Sequence, residues 1–218
     1  MKKEVKLDVY TPEEEVANAI THGVGILGAL GSLIYLFTRP GLSPATFWSA
    51  LVFSLTALIL YTSSTLYHSV KAKKNKFLFK QLDHIAIYLL IAGTFTPFCW
   101  GVLGNTALGQ NLLIAVWVIA LAGIIFKVFY TGKLEFISLA SYLGMGWLGF
   151  MMFDEIGEIL SPKVVNLMLY GGISYTAGVV FYLMRKLKYH HAIWHLFVLG
   201  GTGFHAYAIF NYVVGYSY

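Results

Sequence analysis

Residues Leu108–Phe129 read LGQNLLIAVWVIALAGIIFKVF, and this stretch decides the fold class. A helix that crosses a bilayer needs about 20 mostly apolar residues. The stretch meets that requirement, and Lys127 is its one charged residue. We therefore interpret it as a membrane-spanning helix.

Six further runs of similar length and composition occur in the chain. The complete set, in chain order, is Ala19–Phe37, Ala45–Leu66, Ile85–Leu103, Leu108–Phe129, Leu134–Phe153, Val164–Met184 and Ala192–Val214. Of the 218 residues, 58% are hydrophobic and only 11% are charged, whereas a soluble domain carries about 25% charged residues. The connections are too short to hold a soluble domain. The sequence predicts one all-α membrane domain of seven transmembrane helices over residues 1–218, with residues 1–18 preceding the first span.

The distribution of lysine and arginine predicts the orientation, because cytoplasmic loops are rich in these residues. Thirteen of the 15 fall in the amino-terminal segment and in the connections that follow even-numbered runs: Lys2, Lys3, Lys6, Lys71, Lys73, Lys74, Lys76, Lys80, Lys127, Lys133, Arg185, Lys186 and Lys188. Only Arg39 and Lys163 fall on the other side. We expect residues 1–18 in the cytoplasm and the carboxyl terminus outside. Loop charges of this kind explain the formal charge of +5 without nucleic-acid binding.

Four further residues have predicted local roles. Ser161 and Pro162 are expected to begin the sixth helix as an N-cap and a first-turn proline. Pro97 lies inside the third run and is expected to kink that helix. The single cysteine, Cys99, excludes an intrachain disulfide and is interpreted as a small, buried apolar residue.

Polar residues gather at one membrane level. In the predicted orientation six of the seven histidines fall near the inner leaflet, namely His22, His68, His84, His190, His191 and His195. Only His205 lies deeper, where we interpret it as a hydrogen-bonded core residue. Ionisable residues at membrane depth are costly and usually functional, so the inner-leaflet layer is the candidate site.

His191 and His195 are four residues apart, which places both rings on one helix face. Two helical histidines at this spacing can share a metal ion, and His68 is the best third ligand. Three histidines and a water form a catalytic type of zinc site. The alternative is an ordinary pair of interfacial histidines at a helix start. His190 is then expected at the membrane interface, and His84 as a hydrogen-bonded packing residue.

Two residues are candidates for roles around the metal. Asp83 could bind the water and take its proton, and Ser64, one turn before His68, could support a ligand or the water. Glu15, Asn18 and His22 share one face of the first helix, where capping and interhelical hydrogen bonding are their expected roles.

The ordered set Glu15-x-x-Asn18-x-x-Thr21-His22, Ser64-x-x-x-His68, Asp83 and His191-x-x-x-His195 resembles the bacterial haemolysin III-like branch of the progestin and adipoQ receptor family. The resemblance covers nearly the whole chain from about Glu13 onward. It implies a zinc ion held by His68, His191 and His195, with Asp83 on its water and Ser64 completing the motif. It also implies a cytoplasmic amino terminus and a place in membrane lipid homeostasis. The wider superfamily includes alkaline ceramidases, whose chemistry is the hydrolysis of a lipid amide.

Three functions follow as hypotheses. The first is a zinc-dependent hydrolase of a lipid amide or ester in the inner (plasma) membrane, with Asp83 as general base. The second is a sensor or regulator of membrane state, in which zinc is structural. The third is a pore-forming cytolysin, which the scarcity of charge in the outer halves of the spans disfavours. Membrane lipids are the expected partners, nucleic acid is not, and the sequence leaves a homo-oligomer open.

Overall fold

The computed structural model describes residues 7–215, and this part of the chain is all-helical without strands. Seven helices in it are long and apolar enough to cross a membrane. They are, as spans one to seven, Pro12–Phe37, Pro44–Ser69, Lys73–Val102, Ala107–Tyr130, Glu135–Ile159, Pro162–Leu183 and His190–Val213. The predicted fold class is therefore confirmed, whereas the sides on which the two ends lie remain a prediction.

Four of the spans have a serine or threonine as their N-cap residue. Thr11 accepts a hydrogen bond from the backbone of Glu14, whose carboxylate binds the Thr11 backbone in return. Ser43 and Thr106 cap spans two and four by accepting from the backbone N–H groups of Thr46 and Gly109. Ser161 accepts from the backbone of Lys163, with proline following it as predicted. These caps satisfy backbone N–H groups that the first helical turn leaves without partners.

Proline and local irregularity interrupt three spans. The third is α-helical to Thr96 and continues as a π-helix over Pro97–Val102. Proline has no N–H to donate to the helical hydrogen bonds. The irregularity predicted at Pro97 therefore takes the form of a π-helical turn. Span five contains a 3₁₀ segment, Leu148–Met152, and span seven ends in a π-helix, Ile209–Val213.

The spans form a ring in chain order. Each of spans one to three packs on the next, span six packs on span seven, and span seven returns to span one. Span five touches spans three, four and six more sparsely. Cys99 is fully buried in the core, as expected, while Leu27, Ile114 and Phe136 are exposed on the outside. Such outward apolar faces suit a lipid environment.

Two lysines expected in loops belong to helices. Span three begins at Lys73, so Lys80 lies inside it, and span four continues to Tyr130, so Lys127 lies in its last turn. Each is only 1% exposed. Span three begins well before its apolar run because backbone hydrogen bonding does not depend on hydrophobicity, whereas Lys127 lies at the end of the apolar run of span four. Part of the basic charge is therefore buried in the bundle rather than carried by loops.

Candidate metal centre

Three histidine rings meet where spans two and seven come together. His68 lies in the last turn of span two, and His191 and His195 lie in the first two turns of span seven. Each ring offers one nitrogen within 4.8 Å of the corresponding nitrogens of the other two. All three residues are buried. The structure therefore brings together the three residues predicted to hold a metal.

The orientation of His68 is set by span one. Its Nδ1 lies 2.6 Å from Oε2 of Glu15, and Lys76 holds the other carboxylate oxygen at 2.7 Å. A carboxylate only accepts, so Nδ1 of His68 carries the proton and donates. The lone pair of His68 then lies on Nε2, which has no hydrogen-bond partner among residues 7–215. That nitrogen is the one available to a metal.

Hydrogen bonds to span one also fix the tautomer of His195. Its Nδ1 lies 3.0 Å from the Thr21 hydroxyl and 3.2 Å from the Asn18 carbonyl. The Thr21 hydroxyl donates to the backbone carbonyls of Ala17 and Asn18, so its oxygen accepts from His195. With the proton on Nδ1, the Nε2 of His195 holds the lone pair. Hydrogen bonds of this kind orient ligand histidines and fix their tautomer in metal sites.

His191 provides the most direct test of whether these residues fit a metal. Both of its ring nitrogens are buried and neither has a hydrogen-bond partner in the described part of the chain. Leaving a buried polar group unpaired costs about 1–3 kcal/mol. A cation between His68, His191 and His195 would bind one of these two nitrogens, and a neutral three-histidine set suits a transition metal or zinc. The residues therefore fit a metal ion.

Asp83 and Ser64 lie near this group but outside it. Asp83 is buried and lines the same cavity as His191 and His195, yet it is not among the mutually close ligands. Ser64 is fully buried beside the Asp83 carboxylate, and its hydroxyl has no partner of regular hydrogen-bond geometry among the described residues. Their catalytic roles stay predictions.

The segment before span one covers the histidines. The Tyr10 ring lies 5.2 Å from the His191 ring and 5.7 Å from the His68 ring, centroid to centroid. Burial raises the pKa of the Tyr10 phenol, which keeps it neutral. No sequence pattern indicated this cover, because a residue in an irregular segment belongs to no periodic pattern.

Asp8 anchors that cover. Its carboxylate lies 2.8 Å from the Lys80 ammonium and accepts a hydrogen bond from the Tyr67 hydroxyl at 3.2 Å. Burial by itself would raise the pKa of Asp8, but the attraction of Lys80 outweighs it and the pKa is lowered. The amino-terminal segment is therefore held by a charged contact to span three.

The remaining histidines differ in part from expectation. His190 is buried beside Tyr10 rather than placed at an interface, because the amino-terminal segment folds over it. His84 packs partly buried, but its Nδ1 has no partner in the described chain. His205 donates from Nε2 to the Met168 carbonyl at 3.1 Å, as expected for a core histidine. His22 stacks on His195 at 3.5 Å between centroids.

A cavity of about 150 Å³ lies among spans three, five, six and seven. Asp83, His191 and His195 are at its polar end. The rest of its wall is mainly apolar and includes Phe95, Phe98, Met152, Met168 and Val198. The arrangement can hold a metal beside a mainly apolar cavity.

Comparison with known proteins agrees with this arrangement. The family described as "Haemolysin-III related" matches residues 10–206. The chain is 43% identical to the "Hemolysin-3 homolog" of Bacillus subtilis (strain 168) over 208 residues, covering 94% of this chain and 97% of that protein. It is 42% identical to "Hemolysin-3" of Bacillus cereus, covering 93% of each. The human "Monocyte to macrophage differentiation factor" is 28% identical, over 92% of this chain and 84% of that protein.

The match spans all seven membrane helices except the end of the last. The seven spans and the Bacillus relatives indicate a multi-pass protein of a bacterial plasma membrane. The resemblance deduced from the ordered histidine, aspartate and serine motifs is thereby confirmed: the chain belongs to the haemolysin-III related family.

Proposed function

We propose that this protein is a zinc-dependent hydrolase of the membrane, acting on an acyl-lipid amide or ester. The observation that carries the proposal is the orphaned, buried nitrogens of His68 and His191 next to a cavity that Asp83 also lines. A structural metal would need the nitrogens but not the cavity. Their combination supports chemistry on a lipid.

Residues of the chain would hold the metal, orient its ligands and bind the acyl chain. Zinc, when bound, would polarise a carbonyl and make water acidic enough to react near neutral pH. Glu15 and Thr21 keep the rings of His68 and His195 in the tautomer that presents Nε2. The apolar wall of the cavity holds the acyl chain so that its carbonyl reaches the polar end.

Asp83 would accept a proton from the attacking water as a general base. The water oxygen bonds to the acyl carbon, the bond from that carbon to nitrogen or oxygen breaks, and the leaving group takes up the proton. The products are a fatty acid and an amine or alcohol.

A regulator with structural zinc is the second candidate. The observation in its favour is that the histidines of spans two and seven already donate hydrogen bonds to span one, at Glu15, Asn18 and Thr21. A metal there would tie three spans together. The names of the Bacillus relatives suggest cytolysis, but the largely apolar cavity offers no water-filled path for a pore.

Product release in proteoliposomes separates these functions. Purified protein would be given a panel of long-chain lipid amides and esters, with His68→Ala as the background. Release above that background, dependent on added zinc, supports a hydrolase. If zinc-loaded wild type releases nothing above His68→Ala, the hydrolase should be abandoned for the regulator.

A further inference from the structure

A second set of polar groups faces the cavity outside the three-histidine group. Lys127 in the last turn of span four and Ser138 in the first turns of span five both line the cavity. They are 1% and 2% exposed. A charged group at such a depth is costly unless something compensates it. The proposed hydrolysis uses neither residue.

Lys127 has no carboxylate at ion-pair distance within residues 7–215. Three carboxylates are close enough to attract it, those of Glu135, Asp8 and Asp83. Asp83 lines the same cavity without touching Lys127, and the other two are engaged by other groups. Glu135 pairs with Arg185 at 3.0 Å and accepts from Tyr182 at 3.2 Å, and Asp8 pairs with a different lysine. The ammonium of Lys127 therefore faces the cavity without direct contact to an anionic group of the described chain.

Two other residues that line the cavity also have hydrogen-bonding atoms without a partner in the described chain. The Ser138 hydroxyl and Nδ1 of His84 are buried without a partner in the described chain, and His84 lines the same cavity. An ammonium, a hydroxyl and an imidazole can all donate. Three donors of different type around one space indicate a ligand with several acceptor oxygens.

We propose that Lys127, Ser138 and His84 bind the phosphate of a membrane lipid whose chain fills the apolar part of the cavity. A phosphate monoester offers three charged oxygens, one for each donor, whereas a carboxylate offers two. Phe98 and Met168 line the apolar part, where a chain would bury its methylene groups. The site requires binding alone and does not depend on a metal or on turnover.

Ether-linked probes test the site independently of hydrolysis. Full-length protein in nanodiscs of neutral lipid would be titrated with an alkyl glycerol phosphate and with the same alkyl glycerol lacking phosphate. Trp147 and Trp194 line the cavity and provide a fluorescence signal. We expect the phosphate to tighten binding by about tenfold or more, the size of a charge-assisted contact.

Lys127→Met is expected to abolish the tighter binding of the phosphate probe. The affinity for the neutral alkyl glycerol should stay within about twofold of wild type. Lys133→Met, at an exposed lysine nearby, is the matched control and should change neither. Ser138→Ala provides a second measurement if Lys127→Met does not fold, and it should reduce the advantage by about 2- to 10-fold. The proposal is wrong if wild type binds both probes equally, or if the advantage survives in Lys127→Met and Ser138→Ala.

Two further ligands identify the source of the anion. Inorganic phosphate should displace the lipid phosphate only in large excess, because it lacks the chain. Displacement at equal concentration would make free phosphate the occupant and overturn the lipid assignment. An alkyl carboxylate that binds as tightly, with the same loss in Lys127→Met, would overturn the assignment to phosphate.

Discussion

Oε2 of Glu15 lies 2.6 Å from Nδ1 of His68, across the contact between spans one and two. This bond joins a helix that supplies no metal ligand to one that does. It leaves the opposite nitrogen of His68 facing His191 and His195. Span one therefore affects the metal centre by fixing the tautomer and the orientation of the His68 ring.

We expect Glu15→Gln to weaken metal binding by about 10- to 100-fold, the usual cost of losing a carboxylate behind a ligand histidine. The amide can no longer act as an anionic acceptor for Nδ1 of His68. Chelator competition on purified protein measures the change. Glu13→Gln, on an exposed residue of the same turn, should bind metal as wild type does, and equal affinities for the two variants would refute the role given to Glu15.

His191→Ala should abolish stoichiometric zinc. The residue supplies a ring whose two nitrogens have no other partner among the described residues. Metal analysis of purified protein should give about one zinc per chain for wild type, with nitrogen ligands at roughly 2.0–2.1 Å. His205→Ala should retain the metal, because that ring donates to a backbone carbonyl instead. Full zinc in His191→Ala would mean that other histidines are the ligands.

Asp83→Asn should lower turnover of a hydrolysed lipid by about 10²–10⁴-fold, the typical contribution of a general base. Asparagine keeps the shape of aspartate but does not accept a proton. Zinc content should stay at the wild-type level, because Asp83 lies outside the three-histidine group. Both quantities are measured on the same preparation, and turnover that survives at the wild-type rate would remove Asp83 from the mechanism.

Asp8 should make stability depend on pH. Its pKa is lowered in the fold, so its contribution is fully present above the unfolded value of about 3.9 and disappears as the pH falls through the lowered value. Asp8→Asn should therefore melt below wild type near neutral pH, and the difference should shrink in acid. Thermal unfolding at several pH values measures this. A difference that does not change with pH would mean that the contact with Lys80 contributes no charge-dependent stability.

The orientation is open to a reporter test. The excess of lysine and arginine on one side predicts that a fusion after residue 218 is outside and that one at Lys71 is cytoplasmic. Paired alkaline phosphatase and green fluorescent protein fusions distinguish the two sides. The reverse pattern would move the histidine layer to the outer leaflet.

The sequence by itself determined the number of spans and the identity of the three clustered histidines. Hydrophobicity adds up along the chain, so runs such as Leu108–Phe129 predict spans without knowledge of their neighbours. The spacing of His191 and His195 fixes a shared face because helix geometry is local. His68 could be added because connectivity sets the membrane level at which each span begins or ends.

Only the tertiary structure decided which groups surround those histidines. Glu15 and Thr21 reach the rings because span one packs between spans two and seven at a particular rotation about its axis. Tyr10 covers the rings from a segment without periodicity, and Lys127 lines the cavity from the last turn of span four. Helix rotation and segment docking depend on the whole set of packing contacts, and these are not encoded in any single stretch of sequence.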